Sequence, residues 1–175
     1  VEAYSWLYAI NTFFNKYRET CGLAAVPEAE FRAYIESRLK EAAHQLMVDH
    51  PDYRFCSAIS DNHHKFQNKS DNKPLNTNSW GYCTEKYFFV ENGKMDAVLN
   101  TADISFADRN NLLKMLMNRG ILVPDKSRGY KSRITVGTTY YGYRIHKDLL
   151  AAFIGEVNSD IACGSDDMST DFMEE

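Results

Sequence analysis

The apolar positions of this chain change their spacing as it runs, and the change divides it. From Glu2 to about Thr20, Trp6, Leu7, Ile10, Phe13, Phe14 and Tyr17 recur at three- and four-residue intervals, with Gly22 placed to stop a helix, so one amphipathic helix is predicted. A second is predicted from Pro27 until shortly before Pro51. Glu28 and Glu30 complement the positive end of its dipole, and Phe31, Ile35, Leu39, Ala42 and Leu46 form its apolar stripe. Two helices joined by a short loop predict an antiparallel pair whose stripes face each other, the rest of the molecule or a partner.

From Ser60 to Ser79 the periodicity lapses into Asn, Lys, Asp and Pro, which reads as a polar surface loop and a boundary. Beyond it the pattern becomes strand-like. Tyr87-Phe88-Phe89-Val90, Asn92-Gly93 and Met95 to Leu99 together predict a hairpin, because Asn-Gly tolerates the positive φ of a tight turn. Ser105-Phe106-Ala107-Asp108 has the spacing of a helix start in which the Ser hydroxyl accepts from the N–H three residues on. The helix it opens carries Leu112, Leu113, Leu116 and Met117 and stops at Gly120. Ile121 to Val123 reads as a short strand closed by Pro124. Lys131 to Val136 and Thr139 to Ile145 then flank Gly137-Thr138 as a second hairpin, and a last short helix runs from Lys147 to about Ile154. The predicted class is therefore α+β. A helical N-terminal part (1–59) and a polar loop (60–79) precede a winged-helix-like domain with β-hairpins (80–155). An acidic tail (156–175), with seven acids and no base, is predicted to have little fixed structure.

Charge sharpens this picture. Between Arg109 and Lys147 stand nine basic residues (Arg109, Lys114, Arg119, Lys126, Arg128, Lys131, Arg133, Arg144, Lys147) and one acid, Asp125, in a chain of formal net charge -4. Segregated positive charge needs an anionic partner or serves solvation. Here it coincides with the predicted helix and hairpin, the two elements with which a winged helix meets DNA. Arg109, Asn110, Lys114, Lys126, Arg128, Lys131 and Arg133 form the candidate nucleic-acid contact set. Asn111 and Asn118 also leave the apolar stripe, and Arg and Asn types suit paired hydrogen bonds to base edges. The acidic tail, tethered near this patch, has the charge to compete with nucleic acid for it.

The succession Trp80-Gly81-Tyr82, an aromatic strand, the helix ending Leu112-Leu113-Lys114-Met115-Leu116-Met117-Asn118-Arg119-Gly120-Ile121-Leu122, a basic stretch and Tyr141-Gly142-Tyr143-Arg144-Ile145 resembles the C-terminal module of phage- and plasmid-type helicase/primase ATPases. The resemblance covers roughly Trp80 to Ile154. It implies a winged-helix-like segment that follows a motor domain and helps to engage DNA in a replication or mobile-element assembly. The chain has no Gly-x-x-x-x-Gly-Lys-Ser/Thr phosphate loop, so the resemblance carries over no ATPase activity and no nucleotide cofactor.

Other chemistry is thinly represented. Cys21, Cys56, Cys83 and Cys163 are scattered without a CxxC, which reads as reduced thiols in a cytoplasmic protein, and no apolar run is long enough for a membrane span. Asp61, His63, His64 and Cys56 lie close in sequence but match no zinc spacing. They define one alternative, a small metal-dependent enzyme, while expecting no metal and no catalytic residues is the simpler reading. A second alternative is a protein-interaction module docked through the aromatic N-terminal helices, to a protein partner or a parent motor domain. The first residue is Val, which fits a processed product or a piece of a longer protein.

Overall fold

The two N-terminal helices form where their spacing places them, as α1 (Glu2–Thr20) and α2 (Glu28–Val48). Their connection is fastened by one side chain: the Asn15 amide donates to Val26 O and accepts from Val26 N, each across 2.8 Å. These coordinates, a computed structural model, describe residues 2–125 and 129–162. The chain is α+β, a helical N-terminal pair followed by a winged-helix-like arrangement around one five-stranded sheet.

A third helix, which the sequence reading left unassigned, follows at once as α3 (Pro51–Asp61), with Pro51 in its first turn and Phe55, Cys56, Ala58 and Ile59 buried. The segment read as a polar loop holds more structure than expected. A short 3-10 turn leads into β1 (Phe66–Asn68), which pairs in parallel with β2 (Gly81–Cys83). Between them, residues around Leu75 cover one face of the sheet. There the Tyr82 hydroxyl donates to Lys73 O (3.0 Å) and Leu75 N donates to the Tyr140 hydroxyl (3.1 Å). Aromatic hydroxyls thus satisfy a backbone that lacks regular pairing.

Strand β3 (Tyr87–Glu91) lies antiparallel to β2, but Asn92-Gly93 does not turn a hairpin. Asn92–Lys94 is a 3-10 turn that enters α4 (Met95–Thr101). Met95, Val98 and Leu99 stand at i, i+3 and i+4 and are all buried; as a strand, Val98 and Leu99 would point to opposite faces. A connection containing the 3-10 turn Phe106–Asp108 then leads to α5 (Arg109–Asn118). The Ser105 hydroxyl does cap this start, but it accepts from Ala107 N (3.3 Å), two residues on. Asp108 N bonds instead to the Ser105 carbonyl (3.0 Å), as the tighter 3-10 winding requires. Gly120, at φ +71°, takes the left-handed conformation that ends the helix.

Leu122 makes an isolated bridge to Ile145, and the C-terminal hairpin forms as expected from β4 (Ser132–Val136) and β5 (Thr138–His146) around Gly137. The sheet order is β1-β2-β3-β5-β4. The last helix, α6 (Lys147–Ala162), is twice the length expected because its stripe continues: Leu150, Phe153 and Val157 are all buried. The acidic tail was therefore placed too early, and residues 163–175 lie outside the described residues.

One main core joins α3, α4, α5, α6 and the inner face of the sheet through Phe55, Ile59, Leu99, Leu112, Leu116 and Tyr143 among others. A smaller cluster of Tyr82, Phe89, Ile134 and Val136 lies on the opposite face. Of the N-terminal helices, Val48 at the end of α2 packs against the main core. No residue of α2 is fully buried, although it packs along α6, and α1 exposes Trp6, Ile10, Phe13, Phe14 and Tyr17.

Candidate nucleic-acid interface

Two consecutive helices with a turn between them, α4 and α5, are backed by α3 and followed by an antiparallel β-hairpin. Within α5, burial of Leu112, Leu113 and Leu116 leaves Asn110, Asn111, Lys114, Met117 and Asn118 exposed on one side. Those positions are three to four residues apart, so they share a face.

The hairpin adds to the same side. In β4, Ser132, Ile134 and Val136 are buried while Arg133 and Thr135 are exposed, the alternation of a half-buried strand. Arg133 lies opposite Tyr141, which shares a sheet face with Tyr143 and Ile145 two and four residues further along β5. Tyr143 and Ile145 belong to the core under the helices. Arg133 and Tyr141 therefore project from the helix-covered face, beyond the helices, and Lys131 stands exposed at the base of the strand.

The basic window separates into two populations. Arg119 donates to the buried carboxylate of Asp52 (2.6 Å), Arg144 lies 3.5 Å from Asp125, and Lys147 points its Nζ to the Cys83 sulfur (2.8 Å). Arg109 is largely covered, donates to the Tyr143 hydroxyl and to Asn92 Oδ1, and lies 3.8 Å from Asp96. Lys114, Lys131 and Arg133, by contrast, are exposed and make no ion pair among the described residues. Lys126 and Arg128 lie outside the described residues. Of the candidate contact set, the fold brings Asn110, Lys114, Lys131 and Arg133 to one side and gives Arg109 internal partners.

Between the start of α5 and the base of the hairpin lies an open cleft of about 440 Å³ lined by Phe106, Arg109, Asn110, Tyr130, Lys131 and Tyr143, with Leu113 at its floor. Phe106 is 64% exposed, the Arg109 guanidinium carbon sits 5.5 Å from its ring centroid, and the Tyr143 ring lies 5.4 Å on. Sequence spacing does not single out Phe106 or Tyr143, because only the fold brings residues of the 3-10 turn, the helix and the hairpin together.

Cys56, Asp61, His63 and His64 do not gather around a common point. Cys56 is buried in the core, and its thiol is pushed up to about 12 by burial and by the nearby Asp52 carboxylate. His63 Nδ1 faces Ser60 O, and no group of three or more His, Cys, Asp or Glu side chains gathers around a common point among the described residues. Likewise, no described helix is long and apolar enough to cross a membrane.

A helix-turn-helix followed by a β-hairpin wing is the architecture of a DNA-binding domain, with α5 in the position of the helix that enters the groove. Residues 53–146, more than half of the chain, match the family described as the Cch helix turn helix domain, and the chain belongs to that family. The match begins in α3 and ends with β5, so it takes in the helix that backs the α4–α5 pair as well as the wing. No curated protein and no solved structure matches the chain.

Proposed function

We propose that this chain is the DNA-engaging module of a replication or mobile-element assembly, working in the cytoplasm without catalysis of its own. The α5 face and the β4–β5 hairpin straddle the duplex. Asn110 and Lys114 meet the groove, while Lys131 and Arg133, with Lys126 and Arg128 earlier in the sequence, hold phosphates along the flank. Arg109 enters this set as its fixed member, since its guanidinium is already oriented by Tyr143 and Asn92. The observation that carries the reading is the division of the basic window. Arg109, Arg119 and Arg144 each have an acid within 4 Å, whereas Lys114, Lys131 and Arg133 are exposed on α5 and the hairpin and make no ion pair among the described residues. Membership of a helix-turn-helix family supports it from an independent direction.

The test is binding of a labelled duplex across a salt series by the full chain and by its K131A/R133A double variant. Counterion release makes log K fall linearly with log salt, and each phosphate contact removed reduces that slope by about one unit. The expected result is a slope lower by about two for the double variant, with every duplex sequence weakened alike. Binding that ignores salt, or an unchanged slope, would overturn the reading.

The N-terminal helices favour a second attachment. α1 presents Trp6 (72% exposed), Phe13 (77%) and Tyr17 (63%) along one stripe, more apolar surface than a solvated helix needs. In the proposed assembly this face docks on a protein partner, the parent motor domain of the helicase/primase resemblance being the one that fits the architecture.

A further inference from the structure

We propose that the cleft between α5 and the hairpin holds one unstacked nucleotide of the bound DNA, with its base on Phe106 and its phosphate on Lys131. The proposal rests on the DNA-binding reading and adds to it a preference for distorted or unpaired DNA over perfect duplex.

Four observations converge on a nucleotide as the occupant. The cleft, at about 440 Å³, falls in the range of small-molecule sites, which span roughly 300–1,000 Å³. Its walls combine aromatic rings (Phe106, Tyr130, Tyr143) with cations (Arg109, Lys131) and one exposed amide, Asn110. That mixture suits a flat aromatic ligand carrying an anionic group, because bases stack on aromatic side chains whatever their identity while the cation takes the phosphate.

The aromatic and cationic walls are also pre-ordered. The Arg109 guanidinium lies within cation–π reach of both the Phe106 and the Tyr143 ring and is held by bonds to Tyr143 and Asn92, while Phe106 stays 64% exposed. A base placed on the exposed Phe106 ring meets walls whose cation is already held, which lowers the entropic cost of binding. Phe106 is in neither core cluster, and its ring, 64% exposed just before α5, contacts Arg109.

Position supplies the fourth argument. Asn110 and Lys131 line the cleft and also belong to the proposed duplex-facing set, so a strand lying along that face passes the cleft mouth. A paired base enters only after it is unpaired and unstacked, whereas an unpaired one enters at lower cost.

Fluorescence anisotropy of the full chain with a perfect duplex, and with the same duplex carrying one unpaired nucleotide, tests this, using wild type, F106A and F106W. The bulged duplex is expected to bind about tenfold more tightly to wild type and F106W, from the stacking of one base. F106A is expected to bind both alike, with perfect-duplex affinity, salt slope and melting temperature unchanged. Equal binding of the two duplexes by wild type overturns the cleft proposal and leaves the DNA reading standing. Absence of salt-dependent binding to either duplex removes the DNA reading and this proposal with it. A titration with AMP separates the two sources of a nucleotide: AMP binding lost in F106A, without any bulge preference, would reassign the cleft to free nucleotides.

Discussion

Arg119, at the end of α5, donates its Nε hydrogen to Oδ2 of Asp52, in the first turn of α3, across 2.6 Å, and this bond ties α5 to α3 behind it. The Asp52 side chain is 2% exposed and also accepts from His50 Nδ1 (2.5 Å) and from Tyr53 N (2.8 Å). Burial pushes its carboxyl up, but the bonds from His50 and Arg119 outweigh burial and hold it below its ordinary value. On its other side, Arg119 lies over the Phe153 ring at 4.3 Å, so α6 closes the same junction.

An acid dependence follows from that junction. Because the folded carboxyl binds its proton less readily than the unfolded one, Asp52 contributes stability that is complete above about pH 5. That stability is lost as pH falls through the ordinary carboxylate range toward the folded value. Melting temperature is expected to drop over this acid window in wild type and to drop less steeply in D52N. R119A, which strands the carboxylate, is expected to cost about 2 kcal/mol at pH 7; the lower end applies because the Arg119 side chain is 40% exposed and water can replace part of the lost bond. An acid slope in D52N equal to that of wild type would remove Asp52 as its source.

Close backbone approach gives a second prediction. A Cβ on Gly142 would lie 2.0 Å from Val90 O and 2.9 Å from Phe89 Cζ, so the β3–β5 pairing has to open to admit it. G142A is expected to lose about 3 kcal/mol in urea unfolding. Gly155 in α6 offers the control: it has nothing within 4 Å of its built Cβ, and G155A should gain about 0.5–1 kcal/mol through helix propensity and unfolded-state entropy. A G142A midpoint equal to that of wild type would mean that the strands lie further apart than described.

Thiol chemistry should divide by burial. Cys56 is fully buried, with its thiol raised to about 12, whereas Cys21 is exposed. At pH 8, iodoacetamide should therefore modify Cys21 readily and reach Cys56 only in denaturant, as read by peptide mass mapping. Native-state labelling of Cys56 at the rate of Cys21 would contradict the core described around α3.

The elements legible in sequence were those whose own spacing decides their state. α1, α2, α5 and the β4–β5 hairpin announce themselves through stripes and turn residues, and the basic window coincides with α5 and that hairpin. What misled was local signal overridden by tertiary burial. Asn92-Gly93 carries a strong hairpin signature, yet Met95, Val98 and Leu99 find a helical slot in the core, so the first helix of the helix-turn-helix was read as a strand. α3 went unassigned although Pro51 and the Phe55–Ile59 pair carry its signal, because a Pro and a polar stretch on either side suggested a boundary. The partnering of Arg109, Arg119 and Arg144 was beyond reach, since their acids Asp96 and Asp52 lie far away along the chain and only Asp125 stands in the same window.

That partnering makes the basic residues separable by experiment. Lys114, Lys131 and Arg133 form no ion pair among the described residues, so K114A, K131A and R133A should each lower the salt slope of duplex binding by about one unit. Their melting temperatures should stay near that of wild type, as exposed substitutions away from the core change stability by less than about 0.5 kcal/mol. R119A and R144A remove cations whose charge is already met, by Asp52 at 2.6 Å and Asp125 at 3.5 Å, so they should lower stability and leave the slope near its wild-type value. R109A belongs between the two groups. Its guanidinium lines the cleft while bonding to Tyr143 and Asn92, so it should lose both stability and affinity. The comparison is one salt series and one melting curve for each of the six variants. If R119A or R144A reduces the slope as much as K131A does, the exposed cations are not a distinct phosphate-binding set, and positive charge anywhere in the window accounts for binding.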